Sequence, residues 1–346
     1  MGNYSITTNI LKNLETSSSI GMFARDTGGC LLSRVGLSRS KDETREVSFT
    51  ELTESAIFYF SAPAVAKLGA SIISKTIDVN KDIFSSNIST LKNLDSKILK
   101  KVKIGKFAQI ASTFSLVLPL VYGIAPIRNL LTYSETGKNE FLSVVGLKKD
   151  KKTKHRKEAQ NNAMCLVKKL VYTALGGLAA TAIAVGLMKN KKVYKSIEPL
   201  LNKFLKYMEF TKSGDLELAH YGALIYPVSI ASYFAASRDK YEKLENARRF
   251  SITVPLMFFG EKLIQNPIYK KCDRIFKTHV MENRSIKSYK EIFKLPKEQQ
   301  KQLLKSKNIA YGLTFVINTM VIAAAVAILN RVATKHKYQK ERSLNS

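Results

Sequence analysis

Three ionisable side chains interrupt runs that are otherwise apolar, and they are the first candidates for chemistry. Lys67 follows Ala56–Ala66 and precedes Leu68–Ser74, while Glu261 and Lys262 divide Phe250–Gly260 from Leu263–Ile268. A charge carried into a hydrocarbon layer costs several kcal/mol unless it is paired, so such residues point to a bound charged ligand or a polar path. The structural alternative is that Lys67 snorkels from an interfacial helix and that Glu261 and Lys262 pair at its edge. Other reactive types stand apart: Cys30, Cys165 and Cys272, with His155, His220, His279 and His336, show no ligand or disulfide spacing. Gly28-Gly29 lacks the Gly-Lys-Ser/Thr that cradles a phosphate, and no G-x-S-x-G or H-E-x-x-H occurs. The expectation is a chain without enzymatic activity, metal or cofactor.

The elements that would position these residues are long apolar helices. Ile309–Leu329 is twenty-one residues without a charge, closed by Arg331 and Lys335. At about 1.5 Å per residue it would run roughly 30 Å, the thickness of a bilayer's hydrocarbon core. Phe107–Ile127, Leu170–Met188 and Leu218–Ser237 pass the same test, and the segments around Lys67 and Glu261 are weaker. The fold class expected is all-α, a polytopic membrane bundle of four to six spans, with basic residues balanced on the two sides of a six-span arrangement.

A net charge of +29 over 346 residues would suggest nucleic acid for a soluble chain. Here the charge fills every connection between apolar runs, and lysine outnumbers arginine 43 to 13. An anionic lipid bilayer is therefore the expected partner, and nucleic acid is not. Residues Lys148–Lys157 concentrate the charge in Lys148, Lys149, Lys151, Lys152, Lys154, Arg156 and Lys157, anionic-lipid contact candidates. Three basic stretches with helical apolar spacing read as amphipathic interfacial helices: Phe84 to Val102, Val193 to Met208, and Cys272 to Phe293. Gly176, Ala180 and Ala184 recur at four-residue steps, a spacing that lets helices approach closely, within one subunit or between two copies.

Ser48-Phe49-Thr50-Glu51 reads as a capping box opening the first helical unit. The organisation expected is a mobile N-terminal tail (1–47), unit one (48–133), a basic linker (134–159), unit two (160–237), unit three (238–333) and a basic C-terminal tail (334–346). The three units share one plan of apolar segment, basic amphipathic helix and apolar segment, which reads as an internal repeat. Such a plan invites comparison with mitochondrial solute carriers, but Pro63, Pro255 and Pro267 are not followed by the acid and base of that family's signature. The function expected is membrane organisation or scaffolding through basic amphipathic helices. A small-solute transporter using Lys67 and Glu261 is the alternative, and a soluble nucleic-acid-binding protein the third reading.

Overall fold

The computed structural model describes residues 6–16, 23–86, 88–91, 93–149, 156–208, 210, 218–256, 259, 261–282 and 285–344. The side chains of residues 13, 16, 24–26, 89, 218–222, 261, 262 and 319 lie outside that description. Within it the protein is helical apart from one two-stranded hairpin, β1 (Met281–Glu282) with β2 (Ser285–Ile286). Two compact units divide the chain. The first comprises Met1–Leu52, Glu140–Lys149 and Asp239–Ser346; the second comprises Thr53–Asn139 and Asp150–Arg238.

Helices in chain order are α1 (Ile6–Thr16), α2 (Leu32–Gly36), α3 (Lys41–Ala56), α4 (Ala62–Ile77), α5 (Ser96–Thr136), α6 (Phe141–Val144), α7 (Arg156–Lys189) and α8 (Lys191–Tyr207). They continue as α9 (Leu218–Ala235), α10 (Lys240–Pro255), α11 (Glu261–Phe276), α12 (Tyr289–Ile292), α13 (Lys297–Val316) and α14 (Ile322–Leu344). Among the described residues three helices are long and apolar enough to cross a membrane: Lys41–Ile77, Ser96–Thr136 and Arg156–Lys189. The first carries α3 and α4 through a wide turn at Ile57–Ser61. Pro63 explains that turn, because its ring collides with the carbonyl four residues earlier and forces the helix open. Ile309–Leu329 is likewise helical, passing from α13 through a wide turn at Ile317–Val321 into α14.

In the second unit α5 is the central helix, packed against α4, α7 and α9. Its buried positions, among them Val102, Ile110, Phe114, Val117, Val121 and Ile124, keep the three- and four-residue spacing of one helical face. Asp95 caps the start by accepting from the N–H groups of Lys97 and Ile98. Gly137, at φ 71°, ends it in the left-handed conformation that a side chain would oppose.

Several expectations are corrected. The N-terminal stretch is not a tail through 47: α1, α2 and the start of α3 are ordered helices, whereas residues 1–5 and 17–22 fall outside the description. Ser48 lies inside α3 because the helix is capped eight residues earlier. Ser40 accepts from the Glu43 N–H at 3.0 Å, and Glu43 accepts from the Arg39 N–H at 2.5 Å. The expected helix from Phe84 to Val102 is broken into short 3-10 turns at Lys81–Ser85 and Ile88–Leu91 before α5 begins. Asn80 and Asp95 compete there for backbone donors and stop helix propagation. The stretch from Cys272 to Phe293 is also divided, since Asp273 accepts from the Thr278 hydroxyl and from the N–H groups of Val280 and Met281 and folds the chain into the hairpin. The expected linker is helical at Phe141–Val144 and from Arg156, and the C-terminal tail is helical to Leu344.

Candidate functional site

In the second unit, α5 carries polar side chains into the interior at two levels. At the first, Lys103 donates to Glu198 of α8 at 2.9 Å, Lys106 to the Ser86 carbonyl, and Gln109 to the Ala66 carbonyl at 2.9 Å. Tyr194 completes this level by donating its hydroxyl to Glu198 at 3.2 Å, while the Lys100 ammonium lies 4.6 Å from the Tyr194 ring centre. The hydrogen bond from Lys103 holds the Glu198 carboxyl below its ordinary range, and burial pushes the Tyr194 phenol up to about 12. At the second level Arg128 donates to Asn129 and lies over the Tyr233 ring, whose hydroxyl donates to Glu54 at 2.7 Å. Gln109 and Arg128 are nineteen residues apart, about 28 Å of helix, against roughly 30 Å for a hydrocarbon core. Between them the buried face is apolar except for Thr113, whose hydroxyl is returned to its own helix at Gln109.

α7 packs one face on α5. Adding a Cβ at Gly177 would place it 2.7 Å from the Ser115 hydroxyl, and at Gly123 2.6 Å from Leu170, so these glycines set the helix separation. The opposite face is uncovered among the described residues. Val167, Val171, Leu175, Ile183 and Leu187 are exposed, and none of the helix's most apolar stretch is buried. α8 follows after Asn190, which caps it, and buries Tyr194, Leu201 and Leu205 against the protein, with Phe204 edge-on to Phe107. The apolar face expected to lie among headgroups is thus spent on α5 and α7, and the lysines point outward.

The first unit contains charge of another kind. Arg39 forms a fork between Glu43 and Glu245, each at 2.9 Å, and Arg331 donates to the Arg34 carbonyl at 2.9 Å beside Glu43. Burial works against the Arg39 charge, yet the two carboxylates raise its pKa, whereas burial lowers that of Arg331. Arg34 pairs with Glu51. Further along, Lys307 is fully buried; its ammonium donates to Glu15 at 2.5 Å and to the Lys287 carbonyl, over the Tyr289 ring at 4.6 Å. Glu15 also accepts from the Tyr289 N–H at 2.7 Å, and Asn308 donates to Thr8 at 2.7 Å, so α1 is pinned to α13. Burial lowers the Lys307 pKa despite that partner.

The sequence candidates fall as follows. Lys67 is exposed on the outer face of α4, with Ala64 and Leu68, and does not point into the packed interior. Glu261 and Lys262 open α11, and their side chains lie outside the described residues. Lys148 pairs with Glu140 at 2.6 Å, Lys149 is exposed, Arg156 and Lys157 lie exposed in the first turn of α7, and Lys151, Lys152 and Lys154 are outside the description. Gly176 and Ala180 face outward and Ala184 is half-buried; the glycine in close contact is Gly177, one residue away. Four-residue spacing alone does not say which side of the helix meets α5, and the close approach is at Gly177 and not at Gly176. The levels at Gln109 and Arg128 were foreshadowed only by Lys106 and Arg128 bounding an apolar run, because their partners lie far away in sequence. Among the described residues no cluster of three or more metal-ligating side chains occurs.

No protein-family model, no curated protein and no solved structure matches this chain.

Proposed function

We propose that this is a non-enzymatic integral membrane protein of four to six spans that organises or scaffolds the bilayer around it. One observation carries the reading: from Leu170 to Met188 the outward side of α7 is uncharged, apolar except for Thr173, and exposed, over a length of about 28 Å. In water such a side would cost about 25 cal/mol for each Å² left exposed, whereas lipid tails cover it without a protein partner. The spacing of the two polar levels on α5 supports the same reading, since interior hydrogen bonds cluster near the depths where hydrocarbon would end. Lys41–Ile77, α5 and α7 supply three spans, with α9 and Ile309–Leu329 as the others.

The transporter alternative gains nothing from Lys67, which faces outward, or from the face of α5 between Gln109 and Arg128, which is apolar apart from Thr113. Alkaline carbonate extraction of membranes carrying the full chain tests the proposal. Retention in the pellet with release by detergent is expected; a monodisperse chain in plain buffer overturns it.

A further inference from the structure

We propose that the outward face of α8 is a binding surface for anionic phospholipid headgroups, an assignment that rests on the membrane reading above. Lys192, Lys195, Lys203 and Lys206 are all exposed, on the side of α8 opposite to Tyr194, Leu201 and Leu205. Leu200 and Tyr207 flank them, 72% and 55% exposed. Helical geometry places these six within a sector of about 140°, lysines at the centre and one edge, the two apolar residues on the other edge. A surface built for a soluble polyanion has no use for a protruding leucine beside its lysines. A bilayer interface does, because the leucine and the tyrosine ring can enter the acyl boundary while the ammonium groups stay among phosphates.

The position of α8 fixes the depth. It starts directly after Asn190, where α7 ends, and its inner face is held by Lys103 through Glu198 and by Phe107 through Phe204. Lys100 donates to the Lys189 carbonyl at 3.3 Å, bringing the start of α5 to the same end of the unit, where Lys97 and Lys101 are exposed as well. Charge at this end is therefore concentrated where a span emerges, at the level of the headgroups. Glu198, the acid of α8, is half-buried and paired with Lys103 at 2.9 Å.

The chain contains no tryptophan, so Leu200→Trp and, separately, Tyr207→Trp each provide a single reporter at an exposed position. The full-length protein is reconstituted into mixed phosphatidylcholine and phosphatidylglycerol vesicles in which one lipid or the other carries bromine near the headgroup end of its acyl chains. Expected is quenching about threefold stronger from brominated phosphatidylglycerol than from an equal fraction of brominated phosphatidylcholine, the preference shrinking with added salt. It vanishes when Lys192, Lys195, Lys203 and Lys206 are all changed to Gln, while quenching itself persists. Equal quenching by the two lipids in the tryptophan reporters that keep all four lysines overturns the headgroup preference. Absent quenching in a chain that resists alkali overturns the placement of α8 and leaves the membrane reading standing. Release of the chain by alkali takes down both.

Discussion

The two units treat charge in opposite ways. In the first, charged groups are buried and cross-linked: Arg39 between Glu43 and Glu245, and Lys307 on Glu15. In the second, interior charge is confined near the ends of α5, and the buried face between Gln109 and Arg128 is apolar but for one threonine. A buried ion pair is costly to break because the abandoned partner stays desolvated, so the first unit depends on completeness of its pairs. In the second, on the proposed membrane reading, charge is kept out of the slab that these residues would cross. One chain thus handles charge in two ways, by pairing in the first unit and by exclusion from one buried helix face in the second.

That contrast is broken most strongly at Lys307. Lys307→Met strands Glu15 and removes the clamp on α1, with an expected loss of about 3–5 kcal/mol. Amide exchange across Ile6–Thr16 should rise to the rate of a free helix, and Glu15→Gln added to Lys307→Met should restore part of the stability. Unchanged protection of α1 would show that the pair does not hold it. In the second unit, Val117→Asp places a charge at the middle of the slab, at an expected cost of about 2.5–3.5 kcal/mol for insertion. Loss of alkali-resistant association checks it, and an insertion yield equal to the parent's would count against the slab.

Gly177→Leu and Gly176→Leu sharpen the comparison within one helix. The first must drive a side chain into Ser115 and is expected to cost about 1–3 kcal/mol, read as a fall in melting temperature in detergent. The second meets nothing within 4 Å and should stay within about 0.5 kcal/mol. The smallest effect concerns Glu198. Its folded pKa is depressed by Lys103, so its contribution is present above the unfolded value and is lost as pH falls through the lower folded one. Lys103→Met should therefore flatten the acid limb of thermal stability below about pH 4.5 in the parent.

Much of the second unit was legible in the sequence, because an uncharged run of span length is a one-dimensional signal. Phe107–Ile127 and Leu170–Met188 lie inside α5 and α7. What escaped depends on distance. Lys307 and Glu15 are separated by 292 residues, so nothing local marks residues 6–16 as held, and the absence of a long helical period there suggested a tail. Ser48 and Ser40 each stand three residues before a glutamate, so the choice between two caps is invisible until Ser40 is seen donating to the Val144 carbonyl. Lys67 interrupts an apolar run equally well whether it faces inward or outward.

The bare side of α7 also bears on how this sequence tolerates change. On the proposed membrane reading, fluid acyl chains would reshape themselves around whatever they meet, so positions such as Val171, Leu175 and Ile183 need only stay oily and can drift in size and shape. Gly177 and Leu170, fitted against Ser115 and Gly123, have no such freedom. A library randomised along this single helix should accordingly return two populations of positions, permissive and strict, alternating with the turn of the helix.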